Sequence, residues 1–105
     1  MNDSSVESIN ENLMTGIELI AKERQEQIEK HGFTLDHDFY HETSENIIGA
    51  AIGAITADMG KFPVNWEDHL VYKIVSKPYC ERLVIAGALL AAEIDRQNYI
   101  SQTAG

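Results

Sequence analysis

Four carboxylates and one arginine stand beside stretches of the chain that carry almost no other polar side chain. Glu42 and Glu45 precede a run, Ile47 to Ala57, that is apolar or small except for Thr56. Glu93 and Asp95 follow a second run, Leu83 to Ala92, with no polar side chain at all. Charges against such surfaces need a partner or a ligand. Glu42 and Glu45 are three residues apart, so on a helix they are neighbours on one face. Ionised together they repel unless a cation sits between them. Two carboxylates at this spacing can share Mg²⁺, a hard cation that prefers oxygen, and Mn²⁺ is the alternative. Asp38 and His41, one turn earlier, are candidates for the outer shell of such a site. Glu93 is a candidate third ligand, or else pairs with Arg96 or Arg24. Asp95 is two residues further on, points elsewhere and faces solvent.

The cationic side of the chemistry lies earlier in the chain. Leu13, Ile17, Ile20, Ala21 and Ile28 recur at spacings built from three, four and seven, the signature of one helical face. Residues advance by about 100° each, which places Arg24 and His31 inside that stripe rather than opposite it. A buried-face arginine seeks an internal carboxylate or a phosphate. Glu23 and Gln27 run along the edge of the stripe. His31, at a helix C-terminus, can interact with the helix dipole.

Three helices must position these groups. The first is expected from about Ser5 to His31, stopped by Gly32. The second is expected from about Phe39 to Met59, ended by Gly60, and the third from Pro78, a favourable first-turn residue, to Tyr99. In the connection Lys61–Pro78, Asp68–Val75 is a candidate short helix, with Val71–Val75 the best candidate for a strand. Residues from about 100 to 105 are expected to fray. The predicted class is a single all-α domain over residues 1–105, an antiparallel helical bundle. Such an up-down order brings Arg24–His31, Asp38–Glu45 and Glu93–Gln97 to one end.

Bulk properties exclude several functions. A net charge of −9 argues against nucleic acid or an anionic membrane as an electrostatic partner. It leaves room for a nucleotide bridged by a metal cation. Cys80 is the only cysteine, so no intrachain disulfide forms, and a reducing cytoplasm fits. The start, Met1-Asn2-Asp3-Ser4-Ser5, is unlike a signal peptide. No apolar run approaches the ~18 residues of a membrane helix.

Several of these residues together resemble a known group. They are Glu23-Arg24-x-x-Gln27, Lys30-His31-Gly32-Phe33, His37-Asp38-x-x-His41-x-x-Ser44-Glu45, and the segment from Leu83 to Arg96. The pattern resembles small phage and bacterial proteins of the MazG-like, all-α nucleotide pyrophosphohydrolase group, over roughly Ile17 to Gln97. The resemblance implies an all-α fold completed by assembly into a homodimer or homotetramer. It implies Mg²⁺-dependent cleavage of a nucleoside triphosphate to the monophosphate and pyrophosphate. The better-known members pair a Glu-x-x-Glu helix with a Glu-x-x-Asp helix. Here Glu81-x-x-Val84 lacks the aspartate and Glu93-Ile94-Asp95 has a different spacing, so Glu93 stands in for one ligand.

On that reading Glu42 and Glu45 are the catalytic pair and, with Glu93, hold the metal. Arg24 and Lys30 contact phosphates, and Gln27, His31 or Trp66 contacts base or sugar, Trp66 by stacking. Trp66 could equally plug the core under the long connection. The competing expectation is a non-catalytic helical module that oligomerises or binds a protein, with a degenerate metal site. An acidic DNA mimic rests on charge alone.

Overall fold

The computed structural model describes residues 13–31 and 44–104, with side chains except at positions 31, 44, 45, 103 and 104. All regular structure among the described residues is helical: α1 Gly16–His31, α2 Ser44–Thr56, α3 Asp68–Val75 and α4 Tyr79–Ala104, with a 3-10 turn at Met59–Lys61. The expected all-α class and the short helix Asp68–Val75 are both present. Val71–Val75, the strand candidate, forms the second half of α3. No helix among the described residues is long and apolar enough to cross a membrane.

Local chemistry sets the helix ends. The helix expected over Ser5–His31 is interrupted at Met14 and Thr15, which are not helical, and α1 opens at Gly16; residues 5–12 of that expectation lie outside the described residues. Thr15 Oγ1 accepts from the Glu18 N–H at 3.2 Å, and Glu18 Oε1 accepts from the Thr15 N–H at 2.9 Å. This reciprocal capping box satisfies two donors that the first turn would otherwise leave open. The Thr15 backbone N–H, and secondarily its hydroxyl, holds the Glu18 carboxyl below the usual carboxylate range. The folded value lies below the unfolded one. The contribution is therefore present above the unfolded pKa and lost as pH falls through the lowered folded value.

α2 ends at Thr56, three residues before the expected Met59. Ala57 takes the left-handed conformation with φ 55°, and the Asp58 N–H donates to Gly53 O at 3.0 Å. That is the six-to-one bond of a Schellman terminus, normally built around glycine. Asp58 Oδ1 then accepts from the Gly60 N–H at 2.9 Å and caps the 3-10 turn. α4 runs on to Ala104, past the expected end at Tyr99 and through residues expected to fray.

The core joins Ile47, Ala50, Ala51 and Ala54 of α2 to Ile85, Ala86 and Leu89 of α4, with Phe62, Val71 and Ile74 closing one side. α2 and α4 make the most extensive contact of any two elements, and α1 packs on α4. Arg82 ties the start of α4 to the end of α2. Its Nη1 donates to Ala54 O at 3.1 Å and Ile55 O at 2.9 Å, and its Nε to Lys77 O at 3.0 Å. Those α2 carbonyls have no intrahelical donor, and a guanidinium supplies one together with favourable charge at the helix C-terminus. The expected apolar stripe on α1 is only partly covered. Ile20 and Ile28 are half-buried, whereas Leu13 is 77% and Ile17 82% exposed.

Two substitutions test this account. A Cβ on Gly53 would stand 2.5 and 2.6 Å from Phe62 ring carbons and 3.0 Å from Asp58 O. Gly53→Ala should cost about 1–3 kcal/mol in urea unfolding and shift the emission of Trp66, whose ring packs 5.7 Å from that of Phe62. An unchanged midpoint and spectrum would show the contact to be looser than this. Ala57→Gly removes a left-handed penalty of about 1–2 kcal/mol against a backbone-entropy loss of about 0.5–1 kcal/mol. A net gain near 0.5–1 kcal/mol is expected, and destabilisation would contradict the strained terminus.

Candidate functional site

Three helices wall a cavity of about 570 Å³, within the range of small-molecule sites. α1 contributes Lys22, Glu23, Glu26, Gln27 and Lys30, a set spaced by one and two turns that shares one face. α3 and the turn after it contribute Leu70, Lys73, Ile74 and Lys77. α4 contributes Cys80, Glu81 and, deeper, Ile85 and Leu89. Trp66 lines the cavity from the connection, half-buried against the core. The floor is thus apolar and the rim charged.

Charge is distributed unevenly. Lys22, Lys30, Lys73 and Lys77 are four of the chain's five lysines, and all line this one cavity. Three glutamates, Glu23, Glu26 and Glu81, offset them only in part. A chain of net charge −9 therefore carries a locally cationic rim. The excess over the glutamates is one positive charge, opposite in sign to the chain as a whole.

Gln27 is the one polar or charged residue that is buried among the described residues, 4% exposed. Its Nε2 donates to Glu23 Oε2 at 3.4 Å. Its Oε1 is buried with no hydrogen-bond partner among the described residues. Buried carbonyls are rarely left this way.

The sequence-predicted site residues divide into groups. Gln27, Lys30 and Trp66 come together in the cavity. Arg24 does not line it. Its side chain, 11% exposed, lies 3.5 Å from Asp95 Oδ2. Asp95, expected to face solvent, is half-exposed and nevertheless reaches Arg24 across the α1–α4 contact. Glu93 points the other way, as residues two apart on a helix should. Its Oε2 accepts from Gln97 Nε2 at 2.9 Å, and its Oε1 lies 3.7 Å from Arg96 Nη1. Glu93 stands one helical turn, roughly 6 Å, beyond Leu89 of the cavity floor. Glu42 lies outside the described residues, as do the side chains of Glu45 and His31. The backbone of Glu45 is in the first turn of α2.

Among the described residues no three His, Cys, Asp or Glu side chains gather as metal ligands. Glu93 Oε1 is buried and accepts no hydrogen bond, which is donor chemistry suited to a hard cation. Lys73, Lys77 and Cys80 were not anticipated as site residues. The available signal was compositional: a chain with five lysines places Lys73 and Lys77 one helical turn apart. Comparison with protein-family models, with curated proteins and with solved structures finds no match to the chain.

The Arg24–Asp95 pair is half-open to water, so its coupling energy should be modest. A double-mutant cycle with Arg24→Gln and Asp95→Asn is expected to give below about 1 kcal/mol. A coupling above about 2 kcal/mol would mean that Asp95 is an essential partner of a buried arginine.

Proposed function

We propose that the protein is a Mg²⁺-dependent nucleoside triphosphate pyrophosphohydrolase of the MazG-like, all-α kind, converting an NTP or dNTP to the monophosphate and pyrophosphate. The observation that carries this reading is the lysine-rimmed, apolar-floored cavity in an otherwise acidic chain. Phosphates suit the rim, and a planar base suits the floor. Lys22, Lys30, Lys73 and Lys77 neutralise the phosphates, and Trp66 offers a stacking face. Arg24, engaged with Asp95, positions α1 against α4 at the same end and leaves the phosphate contacts to the lysines.

Glu42, Glu45 and Glu93 would hold the Mg²⁺, which when bound supplies Lewis-acid stabilisation of the triphosphate and an oriented water. We place the helices in an antiparallel bundle completed by a homodimer or homotetramer. The exposed Leu13, Ile17, Leu90 and Ile94 support a further copy covering them. A cytoplasmic setting agrees with the single cysteine. A second reading, a non-catalytic helical module with a degenerate metal site, is favoured by one observation. Glu93 is already engaged by Arg96 and Gln97.

The test is to incubate the protein with each NTP and dNTP plus Mg²⁺ and to measure pyrophosphate. At least one substrate should turn over, and Lys30→Ala or Lys77→Ala should lower kcat/KM roughly tenfold, the loss of one charge-assisted contact. Mg²⁺ should raise the melting temperature of the wild type and not that of Glu45→Gln. No turnover of any nucleotide, with Glu45→Gln indistinguishable from wild type in Mg²⁺ response, would leave the non-catalytic module.

A further inference from the structure

We infer that Gln27 reads the base: its Oε1 accepts an N–H from the ring of a nucleoside phosphate seated in the lysine-rimmed cavity. The inference rests on the nucleotide reading above and adds the residue that selects the ligand. Three observations converge on it. Gln27 lines the cavity and is 4% exposed. Its Nε2 donates one N–H to Glu23 Oε2 at 3.4 Å. Its acceptor, Oε1, is buried with no hydrogen-bond partner among the described residues. A side-chain amide has both a donor and an acceptor end. Here one amide N–H is engaged inside the protein and the group left unpaired is the acceptor, so the ligand that completes it must bring a donor.

Phosphate cannot do this at neutral pH, since its oxygens are acceptors and answer to the lysines. A sugar hydroxyl could donate, but it would not use the apolar floor of Ile85 and Leu89 or the face of Trp66. A nucleobase does both. It has an apolar planar body and, in every common base, an N–H on its Watson–Crick edge. The occupant is therefore a nucleotide recognised at two ends, by lysines at the phosphate and by Gln27 at the ring. A site built to accept a hydrogen bond rejects ligands that lack the donor, because its own buried group is then left unpaired.

The protein contains its own reporter. Cys80 is the only cysteine, is exposed and lines the same cavity. An occupant should shield it from a disulfide reagent. The experiment measures the rate of Cys80 modification in the full chain, without metal, against AMP, CMP, GMP and UMP. Two controls are ribose 5-phosphate, which lacks the ring, and purine riboside 5′-monophosphate, whose ring carries no N–H. At least one natural nucleotide should protect at about tenfold lower concentration than either control. Gln27→Met should remove that advantage and leave protection by ribose 5-phosphate unchanged. Lys77→Ala should weaken protection by all of them. The comparison of ligands on wild type needs no variant to fold. Equal protection by the nucleotides and by purine riboside 5′-monophosphate overturns the inference, as does unaltered selectivity in Gln27→Met. Selective protection without pyrophosphate release overturns the hydrolase reading and keeps this one. Turnover without protection does the reverse.

Discussion

The contact between α2 and α4 is built largely from alanine, and the rest of the molecule depends on it. Ala50, Ala51 and Ala54 on one helix and Ala86 on the other are almost wholly buried, framed by Ile47, Ile85 and Leu89. Small side chains let two helix backbones approach closely, and many dispersion contacts replace a few large ones. The arrangement has a cost in driving force, since each buried methyl removes little apolar area from water. It also leaves the end of α2 near the start of α4, where carbonyls need donors. Arg82 supplies them, so a polar tie at the end of the interface complements an apolar contact along its length. Gly53 extends the same logic: its missing side chain is the space that Phe62 occupies.

That packing fixes one side of the cavity, and the other side is seated separately on α4. Phe62 seats in α2 and carries Trp66 with it, while Val71 and Ile74 anchor α3 to the same cluster. Two walls, α3 and α4, are therefore extensions of the core. The third wall, α1, rests chiefly on α4. There Ile20 lies so close to Gly87 that a Cβ would come within 2.6 Å of it. One turn further, Arg24 reaches Asp95. This wall, seated on α4 by the Ile20–Gly87 approach and a half-open ion pair, is the one that carries Gln27 and Lys30.

The sequence disclosed the helices better than it disclosed their meetings. Periodicity and Pro78 were enough for the class and for the short helix at Asp68–Val75. The start of α1 was missed: the helix was expected from Ser5, although Thr15-Gly16-Ile17-Glu18 spells the capping box that opens it at Gly16. The end of α2 was missed as well, since Ala57 holds a left-handed conformation that composition does not advertise. Of the proposed contact residues, Gln27, Lys30 and Trp66 meet in the cavity. Arg24 had been assigned either a carboxylate or a phosphate, and the structure supplies the carboxylate, on the residue set aside as solvent-facing. The lysine rim escaped because it is a tertiary property. Lys22 and Lys30 lie on one helix, Lys73 on another and Lys77 in the turn after it, and no local spacing links the two sets. The carboxylate pair at Glu42 and Glu45 lies largely outside the described residues, so the sequence remains its only witness.

The two features that most call for a ligand have opposite chemistry: the lysine rim of the cavity, and a carboxylate on α4 one turn beyond Leu89. Around the cavity, lysines call for anions. Just beyond Leu89, Glu93 is a partly buried carboxylate whose Oε1 is buried and accepts no hydrogen bond. Arg96 lies 3.7 Å from that oxygen, farther than a charge-assisted hydrogen bond usually spans. An anion binding at the rim would raise the negative potential near Glu93, while a cation near Glu93 would lower it. Each would then favour the other, because opposite charges attract, and more strongly the less water lies between them. By linkage the two affinities must rise by the same factor. Such an arrangement suits an anion that is already paired with a cation.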